Sequence, residues 1–183
     1  MSALIQYVRD LINDPMPGEG DCDSVFTNDQ VQQVLDQHRF DVFQLRLQAA
    51  DDIVDASGVI NWKQFYARYG FWELDYRLQL NTFAVTTADT ADAISGTWSF
   101  NTSQTLPIYL TGKHYDVYAA AVDLLIRWKA KLTLQYDVNT SVGSFQRSQR
   151  IANLDGLIKS YRGRMLPRVI KVVRKDEYHS VAR

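Results

Sequence analysis

The sequence predicts an α+β fold, mainly α: a helical bundle with two long C-terminal helices, an inserted small antiparallel β-unit and an extended C-terminal tail. Three observations predict it. Apolar residues recur at three- and four-residue steps over Leu4–Ile12, Val31–His38, Tyr118–Leu132 and Ile151–Tyr161, the spacing of one helical face. Between the second and third runs the period falls to two and aromatics crowd in. Beyond Pro167, β-branched residues mix with charge. The expected organisation is residues 1–58 for the N-terminal helices and first strand of the bundle, 59–112 for a β-rich insertion, 113–166 for a long helical hairpin and 167–183 for a tail or arm.

In the first helix Leu4, Ile5, Val8, Leu11 and Ile12 share a face, and Ser2 is the candidate cap. Asn13 to Asp23 holds two prolines, two glycines and four acids, and reads as a mobile loop. Thr27 opens the second helix with Gln30 three residues on, a capping box. Phe26 and Val31 flank the cap as a hydrophobic staple, and the helix should end near Arg39. Phe43, Leu45 and Leu47 alternate with polar residues and predict a strand. Asp51 to Gly58 reads as an acidic turn.

Residues 59–81 carry Trp62, Phe65, Tyr66, Tyr69, Phe71, Trp72 and Tyr76, with strand alternation at Tyr76, Leu78 and Leu80. Their bland reading is the core of the β-unit. A stacking platform for bases would want more interleaved cations than Lys63, Arg68 and Arg77. Thr82 to Ser95 reads as a loop or short helical turn; Gly96–Phe100 and Ile108–Leu110 read as strands. A long helix is expected from Tyr115 to Tyr136, its face Tyr118, Ala121, Val122, Leu125, Trp128 and Leu132. The run Ala119-Ala120-Ala121 permits close packing. After a turn over Asp137 to Gly143, Ser144 should cap a last helix bearing Phe145, Ile151, Leu154, Ile158 and Tyr161, which Pro167 stops. The tail reads either as a strand added to a neighbour or as a flexible arm.

The 183 residues, 46% hydrophobic and 22% charged, can bury a real core, which excludes a disulfide-dependent miniprotein and a disordered chain. Cys22 is the single cysteine, too few for an internal bridge. No stretch has the length of a membrane span or the continuous apolar core of a signal peptide, so a soluble chain made in a reducing cytoplasm is expected, with no membrane partner. The formal charge of −1 conceals a split. Residues 1–60 hold 3 Lys+Arg against 11 Asp+Glu, or −8; residues 61–112 hold 3 against 4, or −1; residues 113–183 hold 14 against 6, or +8. Such opposition marks interaction surfaces.

Nothing assembles into catalytic chemistry. Asp21-Cys22-Asp23 starts faintly like a calcium loop but lacks its glycine and closing glutamate. His38, His114 and His179 have no metal-ligand spacing. Cys22 sits among acids that raise a thiol pKa, and Gly18-Glu19-Gly20 lacks the lysine of a phosphate loop. The expectation is no enzyme, no cofactor and no metal.

The C-terminal third carries the strongest signal. Its order is Tyr118-Ala119-Ala120-Ala121-Val122-Asp123-Leu124-Leu125, Trp128, Tyr136-Asp137, Val142-Gly143-Ser144-Phe145-Gln146-Arg147-Ser148-Gln149, Leu154, Leu157, Tyr161-Arg162-Gly163-Arg164 and Pro167-Arg168. This resembles the head–tail adaptor (connector) proteins of tailed bacteriophages. Asp14-Pro15 with Phe26-Thr27-Asn28-Asp29-Gln30 and Leu35 is similar to the opening of that family. Gly96-Thr97-Trp98 with Leu106-Pro107-Ile108-Tyr109-Leu110-Thr111-Gly112 resembles its β-excursion. The resemblance spans most of residues 14–168; the stretches 59–81 and 82–95 depart from it.

The resemblance implies a structural virion protein in the phage neck. It would form a ring, a dodecamer in the usual case, under the portal protein, meet a stopper or tail-completion protein on the other side, and line part of the channel through which DNA passes unbound. Carried onto this sequence, Arg164, Arg168, Val169, Ile170, Lys171, Val172 and Val173 would face the portal, and strand addition would suit that tail. Arg147 and Arg150, with Asp51 and Asp52, are candidate intersubunit residues; Asp21 and Asp23 are candidate channel-lining residues. The alternative is a nucleic-acid-binding module using the basic C-terminal helices.

Overall fold

The computed structural model describes residues 2–14, 24–50, 53–54, 58, 60–133, 138–140, 143–145 and 147–167. Helix α1 spans Ser2–Ile12 and α2 spans Asn28–Gln37. Their apolar faces point inward: Leu4, Val8, Ile12, Val31, Val34 and Leu35 are buried. Thr27 closes the capping box. Its Oγ1 accepts from the Gln30 backbone at 3.3 Å, and its own N–H donates to Gln30 Oε1 at 3.0 Å. Phe26 and Val31 are both buried, as a staple requires.

The charge inside α1 is structural. Arg9 is fully buried and donates from Nη1 to Asp14 Oδ2 at 2.7 Å, from Nη2 to the Phe26 carbonyl at 2.7 Å and from Nε to Asn28 Oδ1 at 3.0 Å. Asp14 in turn accepts the backbone N–H groups of Val25 at 2.7 Å and Phe26 at 3.3 Å. Both ends of the expected 13–23 loop are thereby tied to α1. Residues 15–23, with Asp21, Cys22 and Asp23, lie outside the described residues.

Strand β1 (Arg39–Arg46) begins directly after the His38 cap of α2. Then come β2 (Gln48–Ala49), β3 (Ile53–Val54), β4 (Ile60–Asn61), β5 (Gln64–Tyr66), β6 (Arg77–Gln79), β7 (Val85–Thr86), β8 (Thr90–Asp92), β9 (Thr97–Ser99) and β10 (Tyr109–Tyr115). They pair antiparallel, one four-stranded sheet in the order β1-β10-β6-β7, another in the order β2-β5-β9-β8, with β3 and β4 as a ribbon. The chain passes from the first sheet to the second at Leu47, whose N–H bonds the Ile108 carbonyl at 2.9 Å. Asp51 and Asp52 lie outside the described residues.

The two sheets share one hydrophobic cluster: Leu47, Phe65, Trp72, Leu78, Trp98, Phe100, Ile108 and Leu110. Trp98 is its centre, with Tyr76 and Trp72 edge-on at 5.5 and 6.4 Å. Gly70 and Gly96 let the Tyr69 and Ile94 turns cross there. A Cβ on Gly70 would stand 2.2 Å from the Ile94 carbonyl oxygen, and one on Gly96, at φ +74, would stand 2.6 Å from that of Tyr69.

These two sheets overturn the expectation of a mainly α fold with a small inserted β-unit. Eight strands in two antiparallel sheets stand beside four helices among the described residues, a mixed α/β architecture. Most of the strands are two or three residues long, so few carry a readable alternation. The stretch 82–95, expected as loop or helical turn, contributes β7 and β8. Strand β1 also departs from simple alternation. Val42 pairs with Gly112 but Leu45 with Leu110, so one extra residue is inserted, with Gln44 at φ 52. The bulge leaves Phe43 77% exposed while Leu45 packs inward.

Helix α3 (Val117–Thr133) follows β10 with only Asp116 between, then come a ribbon of β11 (Val138–Thr140) and β12 (Gly143–Phe145), and α4 (Arg147–Arg162). Tyr115 therefore ends a strand rather than starting the helix. Ser144 lies within β12 and does not cap α4; α4 ends at Arg162, before Gly163 and well before Pro167. Residues 134–137 are outside the described residues. The helices share a second core: Ala120, Ala121, Leu124 and Leu125 of α3 are fully buried, and Leu154 and Ile158 of α4 pack with them. The small Ala run lets neighbours approach α3 on most sides.

Removing one partner of a buried ion pair strands the other. Asp14→Ala should cost about 3–5 kcal/mol in equilibrium denaturation, because Arg9 keeps its buried charge but loses the Asp14 carboxylate 2.7 Å away. The double variant Arg9→Met with Asp14→Ala should lose less than the sum of the two single losses; strict additivity would refute the coupling.

Candidate assembly site

Asp116 joins the two cores. It sits between β10 and α3, the longest helix, and only 5% of it is exposed. Its Oδ1 accepts the Ala119 N–H at 3.0 Å, the bond of a helix N-cap. Its Oδ2 accepts the Leu166 N–H at 2.8 Å, fixing the chain four residues beyond α4. Its own N–H donates to the His38 carbonyl at 3.0 Å. His38 adds a second tie, from Nε2 to Asp123 Oδ2 of α3 at 2.8 Å.

An aromatic chain crosses the same joint. Phe71, at φ 58, leaves the sheet side and meets Tyr7 of α1 at 4.9 Å and Tyr118 of α3 at 6.1 Å. Tyr161 of α4 lies 5.9 Å from Tyr118 and donates its hydroxyl to the Leu11 carbonyl at 2.8 Å. Burial, then a hydrogen bond with Tyr118, raises the Tyr7 pKa. Burial and the Glu73 carboxylate, which accepts the Tyr115 hydroxyl at 3.1 Å, push that phenol far above its ordinary value. Arg164 places its guanidinium 5.8 Å from the Tyr118 ring, and Arg68 lies 5.7 Å from Tyr69. Between them lies a cleft of about 150 Å³, with Asp116 in its wall.

His114 lies beside the joint, stacked between Phe40 at 5.0 Å and Tyr69 at 5.1 Å, the rings within 12° and 7° of parallel. Its Nδ1 is buried without a hydrogen-bond partner among the described residues. Burial holds the imidazole below its ordinary pKa, against the opposing pull of the Asp116 carboxylate.

The other surface with built chemistry is a groove of about 720 Å³ between α3 and α4. Ile126, Ala130 and Ile158 give it apolar walls, and Lys129, Lys159 and Arg162 rim it. Lys129 is held by both oxygens of Asp155, at 2.6 and 2.8 Å. Helices α3 and α4 together hold seven Lys or Arg against two Asp. Helices α1 and α2 hold Asp10, Asp29 and Asp36, all exposed, and their one cation is the buried Arg9.

Of the residues singled out from the sequence, the structure describes Arg164 and Arg150 fully and Arg147 by its backbone. Arg150, exposed in the first turn of α4, and Arg164, beyond its other end, are not brought together. Arg168, Val169, Ile170, Lys171, Val172 and Val173 lie outside the described residues, as do Asp21, Asp23, Asp51 and Asp52. Asp116 was missed although its signal, a capping acid before an apolar run, is local; placing the helix start at Tyr115 hid it. The groove was missed because Ile126 lies off the apolar face that periodicity selects. Among the described residues no group of three or more His, Cys, Asp or Glu could hold a metal ion, and no helix is long and apolar enough to cross a membrane. No protein-family model, curated protein or solved structure matches this chain.

The lowered His114 pKa sets a sign. The unfolded chain takes up this proton at the ordinary value of 6.5, the native chain only at lower pH. Stability is intact above 6.5 and is lost as pH falls through that value toward the folded pKa. His114→Phe keeps the ring stack and removes the nitrogens. Its denaturation midpoint should drop less than that of the parent chain between about pH 7 and about pH 5. Equal drops would refute the assignment.

Proposed function

We propose that this chain is a structural assembly protein rather than an enzyme: a head-to-tail adaptor of a tailed bacteriophage, built as a ring in the virion neck. In this reading the portal protein lies on one side, a stopper or tail-completion protein on the other, and DNA passes through the lumen without specific binding. The sequence order that resembles this family supports it.

The structural observation that carries the reading is the anchored exit of the C-terminal segment. Leu166 donates its N–H to the buried Asp116 carboxylate, so the chain is held at Leu166, just ahead of residues 168–183. A segment launched from a rigid clamp loses less freedom on docking than one launched from a fraying helix. Its Val169-Ile170-Lys171-Val172-Val173 run has the composition for adding a strand to a larger partner.

A second reading has its own support. The excess of cations on α3 and α4 suits a duplex backbone, and it requires binding of duplex DNA that weakens steeply with salt.

Purified phage particles and electron microscopy of their necks decide between these. The adaptor reading expects this chain in the particle as a ring against the portal; absence from purified particles overturns it. Deleting residues 168–183 should leave the thermal unfolding transition in place and abolish incorporation into necks. Undiminished incorporation would remove the tail from the docking role.

A further inference from the structure

We infer that the groove between α3 and α4 receives the acidic α1–α2 side of a second copy of this chain. The inference rests on the assembly reading above and adds which surfaces meet. Ile126 is 41% exposed in the groove wall, while most apolar side chains of α3 are covered. Beside it, Lys159 and Arg162 have no carboxylate at ion-pair distance among the described residues. Lys129, in the same groove, is already satisfied by Asp155. The groove thus offers apolar walls and two unmatched cations.

The complementary surface lies on α1 and α2. Among the described residues the Asp10 and Asp36 carboxylates accept only from the neutral amides of Gln6 and Gln32, at 2.7 and 2.9 Å, and Asp29 forms no ion pair. No exposed cation interrupts this face on either helix. Unmatched acids on one pair of helices and unmatched cations on the other complement each other between molecules.

The two surfaces look in different directions. Lys131 turns toward α2, its Nζ reaching the Val25 carbonyl at 3.2 Å and lying 4.7 Å from the Phe26 ring. At helical spacing Ile126 stands about 140° around α3 from Lys131. A contact between two different patches is heterologous: each copy offers one surface and uses the other. Repeated by rotation it closes into a ring.

Charge exchange tests this on the full chain, with self-association followed by light scattering and native mass spectrometry. One variant carries Lys159→Glu and Arg162→Glu; the other carries Asp29→Lys and Asp36→Lys. All four positions are exposed, and unchanged circular dichroism melts establish that each variant folds. Each variant alone should self-associate at least tenfold more weakly than the parent. Mixed in equal amounts they should recover assembly, with the two kinds alternating. Parent-like assembly of both separate variants would overturn the choice of surfaces while leaving an adaptor ring intact. A parent chain that stays monomeric at every concentration would overturn the self-contact, and its presence or absence in phage necks would still decide the adaptor reading by itself. If the Lys159/Arg162 variant loses duplex DNA binding but not self-association, the groove belongs to nucleic acid and the inference fails.

Discussion

One buried carboxylate organises the molecule. Asp116 caps the central helix α3, holds the segment that follows α4 and continues the β1–β10 ladder through His38. An isolated buried carboxylate is costly, and this one is offset by two N–H groups, one from α3 and one from the segment after α4, while the backbone N–H of the same residue bonds the His38 carbonyl. Strand, helix and C-terminal segment are thereby fixed relative to one another at one point. Phe71 and Tyr118 meet edge to face beside it, so polar and apolar contacts cross the joint together.

Two other polar pairs, the first fully buried and the second half-exposed, act in the same manner where the chain reverses. Arg9 and Asp14 close the excursion between α1 and α2, and His38 with Asp123 ties the end of α2 to α3. Hydrophobic burial supplies most of the driving force but has no direction. These pairs add direction: each leaves an unmet charge or hydrogen bond in any other arrangement. Two separate cores are held as one body in this way.

What was legible in the sequence follows from how local each signal is. The capping box of Thr27 and Gln30 needs only three residues of spacing, and it is present atom for atom. The α1 and α2 faces rest on periodicity alone and hold. The β layer does not obey such rules. Its strands are brief, β1 carries a bulge that turns Phe43 outward, and Thr82 to Ser95 pairs only because Trp98 and Leu78 lie alongside. A two-residue strand has no period to read. Ser144 shows the reverse error: a good capping residue beside a helix, consumed instead by a β ribbon.

By itself the sequence determined the four helices within a few residues, the Thr27 cap and the apolar faces of α1 and α2, and the opposition of charge between its two ends. These depend on residues within one or two turns of each other. Only the tertiary structure decided that the aromatic middle builds two sheets recruiting strands from both of its flanks, that Arg9 and Asp116 are buried keystones rather than surface charges, and that basic helices frame a groove. Each of those depends on partners far apart in sequence, such as Asp116 with Leu166 or His38 with Asp123. The physical reason is that burial and pairing are properties of a place in the fold, and a residue acquires its place only when the chain has closed around it.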